Sequence, residues 1–184
     1  GYSSAASDVY KRQSMANALP MAIGAAFARP GQEVVALCGD GGLSMLLGDL
    51  ATIVEYKLPV KIVVFDNRSL GMVKLEMEVS GLPDWQTDMC NPDFESIARA
   101  MGIRGFTADS PDSVAEVLAE AFDTPGPVLV NVRTDPNALA MPPKVEFGQM
   151  KGFALAMTRL ILSGRAGEVV ATAKSNLKHL RELV

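Results

Sequence analysis

Apolar residues follow two different rhythms along this chain. Mostly apolar runs at residues 33–38 (EVVALC), 60–65 (VKIVVF) and 128–132 (VLVNV) are bounded by turn residues, and a shorter run lies at 105–108. Continuity rather than alternation predicts strands buried on both faces, as in a parallel sheet. Helical spacing fills the intervals. Residues 17–28 predict a helix of small residues, with Pro20 tolerated in its first turn and Arg29-Pro30-Gly31 ending it. Residues 41–56 predict one crossover helix with Met45, Leu46, Leu50, Ile53 and Val54 on its apolar side, and Leu58-Pro59 breaks the chain after it. Residues 70–79 predict a short helix, followed by an irregular segment over 80–90. Asn91-Pro92-Asp93 opens a helix through Met101, with Pro near its first position and Gly102 beyond its end; Ser110-Pro111-Asp112 opens another to Phe122. This β-α alternation predicts an α/β fold, a doubly wound, mostly parallel sheet with helices on both faces.

After Thr134 the rhythm changes. Residues 135–143 read as an extended, proline-punctuated connection, and 147–162 and 168–183 as a helical C-terminal tail. In the last helix Val169, Val170, Ala173, Leu177, Leu180 and Val184 fall on one stripe, flanked by Lys174, Lys178 and Arg181. The domain division expected is therefore 14–134 for the α/β domain and 135–184 for the connection and tail. Residues 1–13 stand apart: Asp8-Val9-Tyr10-Lys11-Arg12-Gln13 back-translates into a transposon-end adapter, so an assembly scar is expected there.

Composition narrows the function classes. With 184 residues and 48% hydrophobic content the chain can bury a layered core. A net charge of -4 argues against nucleic acid as a partner, since a phosphate backbone needs a basic face. Cys38 and Cys90 make no disulfide framework, which points to a reduced, cytoplasmic chain. No apolar run approaches the roughly 18 residues of a membrane-spanning helix.

The chemistry concentrates in residues 33–71. Asp40 follows the first strand in Gly39-Asp40-Gly41-Gly42, and Asn67 follows the second in Asp66-Asn67. One βαβ crossover brings two such strand ends to the carboxyl edge of a parallel sheet, where open α/β sheets bind phosphates. A diphosphate needs a hard divalent ion, and Mg2+ takes carboxylate, amide, backbone carbonyl and water oxygens. Asp40 offers a carboxylate and Asn67 an amide oxygen. Glycines at 39, 41 and 42 let backbone N–H groups approach an anion. Taken alone, Gly-Asp-Gly-Gly is also an ordinary strand-helix turn. A dinucleotide fingerprint fits poorly, because Ser44 stands where its third glycine belongs.

A Gly-Asp-Gly, a run of twenty-odd residues and an Asn at a strand end resembles the thiamine-diphosphate motif. The words SMANALP, LPVKIVVFDNRSLGM, MPPKVEFGQMKGFALAM and ILSGRAGEV resemble the pyruvate oxidase group, and within it the flavin-containing, quinone-reducing pyruvate dehydrogenases. The resemblance implies the thiamine-diphosphate-binding fold and a C-terminal domain whose pyrimidine-binding and FAD domains lie upstream. It places Asp40, Asn67 and the Ser69 carbonyl on Mg2+, and Gly39, Gly41, Gly42, Asn67, Leu70 and Gly71 around thiamine diphosphate. Met15 matches the apolar residue wedged beneath the bent cofactor; read without the resemblance it is a core residue at a helix start. Met72, Val73 and Glu76 match the substrate wall, with Glu76 acting on the keto oxygen or on the enamine; its plainer reading is an exposed carboxylate pairing with Lys74 or a neighbour. Two departures stand out. Asp66 replaces the first Asn of the usual pair, and Gln13 stands where the family tends to have glycine.

The activity implied is oxidative decarboxylation of pyruvate to acetate and carbon dioxide, with electrons passing through FAD to a quinone, in a homo-oligomer, a tetramer at full length. The glutamate that activates the cofactor belongs to an absent domain, so the chain alone is expected to be inactive. The basic flank of the last helix suits a membrane-surface anchor on the inner face of the plasma membrane, and equally suits packing on its own domain or a partner subunit. The rival functions are an acetolactate-synthase-like carboligase domain, a nucleotide-binding module and a non-catalytic interaction domain. His179 reads as a solvated tail residue, and Trp85 and Cys90 carry no derivable role.

Overall fold

The computed structural model describes residues 15–138 and 147–180. It resolves into two compact units: residues 1–66 with 91–134, and residues 67–90 with 135–184. The segment between the second strand and residue 90 therefore groups with the tail.

In the first unit, strands β1 (Val34–Gly39), β2 (Val60–Asp66), β3 (Arg104–Ala108) and β4 (Val128–Arg133) form one four-stranded sheet in the order β1-β2-β4-β3. All three pairings are parallel. Helices α1 (Ala18–Ala28), α2 (Asp40–Met45), α3 (Leu50–Glu55), α5 (Phe94–Ala100) and α6 (Pro111–Asp123) join them, while α4 (Gly71–Val79) belongs to the other unit. Side chains alternate across the sheet, and this sorts the core in two. Ile62 and Val64 of β2 join Ala36, Cys38, Leu19, Leu50, Ile53 and Phe94 on one face. Val63 joins Val128, Val130, Val132, Ala108 and Ala121 on the other, beneath α6. Helices on both faces of a parallel sheet match the fold class the sequence predicts.

Three sequence expectations need correction. First, β1 is not buried on both faces: Ala36 and Cys38 are buried, but Val35 and Leu37 are exposed, Leu37 at 60%. The strand is an edge strand, and α6 packs on β3 and β4 rather than over β1. Continuous apolar residues therefore mark burial on both sides in β2 and β4 only. Second, the crossover is not one helix. It comprises α2, a 3-10 turn at Leu47–Asp49 and α3, with Leu46 at φ -129 and ψ 35 interrupting the helical backbone. Gly41, Gly42 and Gly48 make that stretch costly to keep helical. Met45 and Leu46 consequently face outward, while Leu50 and Ile53 are fully buried. Third, the helix expected from Asn91-Pro92-Asp93 begins at Phe94, with Asp93 as its cap accepting the Ser96 N–H at 3.0 Å, so Pro92 precedes the cap.

The second unit contains α4 (Gly71–Val79), α7 (Phe147–Leu162) and α8 (Ala166–Leu180). Helix α4 packs on α7, and α7 on α8. Arg159 donates to the Gly81 carbonyl at 2.7 Å, and Arg165 binds both the Asp84 carboxylate at 2.9 Å and Glu168 at 2.6 Å. Among the described side chains of α8, Thr172 and Asn176 are buried, whereas Val170 and Ala173 of the expected apolar stripe are exposed. Asn176 explains the exchange: its amide donates to the Thr172 carbonyl at 2.7 Å and the Asn137 carbonyl at 2.9 Å. The stripe residues Leu177, Leu180 and Val184, with Lys178, His179 and Arg181, lie outside the described side chains. Residues 1–14, including Gln13 and the expected scar, and 139–146, with Pro142 and Pro143, also lie outside the described residues. Among the described residues no helix is long and apolar enough to cross a membrane.

Candidate functional site

The parallel register brings two acids level at the carboxyl edge of the first unit. Gly39 of β1 pairs with Phe65 of β2, so Asp40 and Asp66 are the next residues on neighbouring strands. Asp40 begins α2 and is 3% exposed; Asp66 ends β2 and is 4% exposed. Burying a carboxylate is costly unless it is hydrogen-bonded, and both are. Asp40 Oδ1 accepts the Gly41 N–H at 2.8 Å. Asn91 Nδ2 donates to Asp40 Oδ2 at 2.7 Å and to Asp66 Oδ1 at 2.7 Å. Asn131 Nδ2, from the middle of β4, donates to Asp66 Oδ2 at 3.2 Å. Oxygens Oδ1 of Asn91 and Oδ1 of Asn131 are buried without a hydrogen-bond partner.

Of the residues expected around a diphosphate, Gly39 ends β1 and is exposed, Gly41 is buried and Gly42 half-buried. Among the described residues no atom lies within 4 Å of where a Cβ on Gly39 would stand, so an anion has room to approach that backbone. Met15 is half-exposed at the entrance to α1. Cys38 is buried beside this edge, and burial pushes its thiol up to about 11, which keeps it protonated and inert at neutral pH.

The second unit holds Asn67, Ser69, Leu70 and Gly71 in one tight turn. Asn67 Oδ1 accepts the Ser69 N–H at 2.9 Å, and Arg68 between them has a left-handed φ of 55. A side chain-to-backbone bond of this kind is what lets a non-glycine residue hold that conformation. A Cβ on Gly71 would stand 3.0 Å from Asn67 Nδ2, so glycine there preserves the Asn67 amide's position. Ser69 lies opposite Asp88 in an antiparallel bridge whose hydrogen bonds run from Leu70 N to the Thr87 carbonyl and from Met89 N to the Arg68 carbonyl, each 2.8 Å. In such a pair the bridged residue's own carbonyl points away from its partner strand. The Ser69 carbonyl thus points away from the strand of Asp88, and its hydroxyl is buried with no partner. On α4, Met72, Val73 and Glu76 are exposed while Leu75 and Glu78 are buried. Lys74 pairs with Asp84 at 3.8 Å, which sets aside the reading of Glu76 as its partner. Trp85 is largely exposed.

The Asp40 carboxylate in the first unit, and the Asn67 amide oxygen and Ser69 carbonyl in the second, are each oxygen donors of the kind Mg2+ prefers. Among the described residues no cluster of three or more His, Cys, Asp or Glu side chains could hold a metal by itself. A metal at Asp40 would therefore rely on other oxygen donors, as an ion bridging to a diphosphate does. The residues present fit thiamine diphosphate with Mg2+.

Sequence reading missed Asn91 and Asn131. Asn131 carried a signal, a lone polar residue inside the apolar run Val128–Arg133, which a buried strand tolerates only with a partner. Asn91 carried none, since it reads as part of a helix-opening turn.

Comparison with known proteins gives consistent matches. A profile described as "Thiamine pyrophosphate enzyme, C-terminal TPP binding domain" matches residues 8–132. The "Putative thiamine pyrophosphate-containing protein YdaP" of Bacillus subtilis is 36% identical over 91% of this chain and 29% of its own length. The "Probable acetolactate synthase large subunit" of Methanococcus aeolicus is 37% identical over 71% of this chain and 22% of its own. Among solved structures, the "Rhodococcus jostii RHA1 thiamine diphosphate-dependent 4-hydroxybenzoylformate decarboxylase" superposes with a TM-score of 0.61 at 27% identity, over 66% of this chain and 23% of that one. The chain thus spans less than a third of the length of these relatives.

Proposed function

The chain belongs to the family of the C-terminal TPP-binding domain of thiamine pyrophosphate enzymes, and on that premise we propose that it anchors the diphosphate of thiamine diphosphate through one Mg2+ ion for chemistry on pyruvate. When bound, the cofactor supplies an electron sink for the carbon that loses carbon dioxide. The observation that carries the reading is the Asp40 carboxylate, buried at a strand end and oriented by amide donors. Asp40, Asn67 and the Ser69 carbonyl would hold the metal. Backbone groups of Gly39, Gly41, Gly42, Leu70 and Gly71 would face the diphosphate, and Met15 would lie beneath the cofactor. Met72 and Val73, both exposed on α4, would form an apolar wall for the substrate methyl group. Glu76, exposed on the same helix, would hold or deliver a proton at the keto oxygen.

Two fates of pyruvate are supported by different observations. The sequence words of the oxidase group support oxidation to acetate through FAD and a quinone. The similarity to an acetolactate synthase supports carboligation instead, and it fits at least as well. Either reading needs upstream domains and a second subunit, so the isolated chain is expected to turn over no pyruvate. Exposure of Val170 and Ala173 on α8 leaves a surface that the membrane-anchor reading requires.

Calorimetric titration of the chain with thiamine diphosphate tests the anchor. Saturable binding with Mg2+ that disappears in excess EDTA is expected; equal binding in both would overturn it. For the full-length protein given pyruvate, acetolactate as product supports carboligation, and acetate with flavin reduction supports oxidation.

A further inference from the structure

We propose that Asn91 is a positioning residue that presets the Asp40 carboxylate for the metal by strutting it against Asp66. This rests on the diphosphate-anchor reading and adds to it a residue that no part of the thiamine-diphosphate motif contains.

An amide nitrogen carries two protons, and Asn91 directs both at carboxylates: 2.7 Å to Asp40 Oδ2 and 2.7 Å to Asp66 Oδ1. The orientation of the amide is fixed by chemistry. Flipped, its carbonyl oxygen would face two carboxylate oxygens at the same short distances, which is repulsive. With the amide so placed, Oδ1 of Asn91 is the buried atom left without a partner, a cost accepted for the two bonds on the nitrogen.

The two ends of the strut differ in rigidity. Asp66 closes β2, an inner strand paired on both sides, and its second oxygen is held by Asn131 from the adjoining β4. Asp40 stands on the first residue of the short α2, after the edge strand β1. Asn91 therefore transmits the fixed position of the sheet centre to a carboxylate on a less constrained element. It does so with a neutral dipole, so the ligand keeps the negative charge a cation needs. A Lys or Arg in its place would make comparable hydrogen bonds and compensate that charge. The residue also separates two carboxylates that would otherwise repel across the same gap.

Partners that orient a metal ligand typically contribute about 10-fold to 100-fold in metal affinity. The test uses the 184-residue chain at low temperature, with circular dichroism confirming that each variant is folded. Mg2+ is titrated at fixed thiamine diphosphate, and the half-saturating concentration is read from the binding heat. Asn91→Leu removes both donors at similar volume and is expected to raise that concentration by about tenfold or more; Asn91→Ser, keeping one donor, should fall between. Asn131→Leu supplies the structural control. It weakens the hold on Asp66 alone, and is expected to lower the unfolding midpoint while leaving Mg2+ half-saturation within about twofold, far short of what removing an orienting partner costs. Mn2+ bound in place of Mg2+ adds a spectroscopic readout, with its paramagnetic resonance line shape altered in the Asn91 variants only. If the parent chain binds thiamine diphosphate without any need for Mg2+, the anchor reading fails and this inference with it. If the parent chain needs Mg2+ and folded Asn91→Leu needs no more of it than the parent, the strut is refuted while the anchor stands. Equal shifts in the Asn91 and Asn131 variants would reduce the role to general stability and also refute it.

Discussion

Asp66 and Asp84 are both nearly buried, at 4% and 6% exposure, yet they are held by opposite chemistry. Asp66, in the first unit, shares the Asn91 amide with Asp40 and takes a second amide from Asn131. Asp84, in the second unit, sits between Arg165 at 2.9 Å and Lys74 at 3.8 Å, with Glu78 and Glu168 nearby in the same charged group. Amides orient a carboxylate and leave its charge in place, whereas cations compensate it inside the protein. A buried acid of the second kind is committed to structure, and one of the first kind is still able to attract a metal. Burial alone does not distinguish them; the partner does.

The largest effect is expected where the second unit is tightest. A Cβ on Gly152 of α7 would stand 1.8 Å from the Val79 carbonyl oxygen and 2.7 Å from its carbon, both on the backbone of the α4 C-terminus. No rotamer change relieves that, so Gly152→Ala should force the helices apart and cost at least about 3 kcal/mol, the upper end of ordinary overpacking. Urea unfolding measures it, and an unchanged midpoint would show that α4 does not rest on α7.

A smaller effect is expected at Glu78. Burial raises its carboxyl above the ordinary value, with Lys74 pulling it back and Asp84 pushing it further up, and its Oε2 has no hydrogen-bond partner. A carboxyl whose pKa is raised on folding disfavours the charged form. Its contribution to stability is complete below the unfolded pKa and is lost as pH rises through the folded one. Glu78→Gln should therefore raise the unfolding midpoint slightly at neutral pH and leave it unchanged at pH values below the unfolded glutamate pKa. A lower midpoint at neutral pH would mean that the ionised Glu78 strengthens the charged group around Asp84.

Much of this was legible in the sequence. The four strands, their parallel direction and the helices on both faces follow from apolar runs alternating with helical spacing. The ends of β2 and β4 were readable because Pro59 and Pro125-Gly126-Pro127 punctuate them. Burial of β1 was not readable, because an apolar strand at a sheet edge has the same composition as one in the centre; Val35 and Leu37 differ from Val63 only by where α6 lies. The broken crossover was half legible, since Gly41, Gly42 and Gly48 announce weak helix but not where it yields. Asp40 and Asn67 were legible as the polar residues that follow β1 and β2. The Asn91 strut was not, because it joins residues 51 and 25 positions apart through an irregular segment with no periodicity. On α8 burial of Thr172 and Asn176 was not legible, since Asn176 turns inward to donate to the Thr172 and Asn137 carbonyls.

On the proposed function, Asp40 serves the metal and Asp84 serves the fold. One paired measurement tests it: thiamine diphosphate titration in Mg2+, together with thermal unfolding, on Asp40→Asn and Asp84→Asn. Asp40→Asn should abolish Mg2+-dependent binding and leave the unfolding midpoint close to that of the parent chain. Asp84→Asn should lower the midpoint and, at a temperature where the chain stays folded, bind as the parent does. Undiminished Mg2+-dependent binding by Asp40→Asn would contradict the claim.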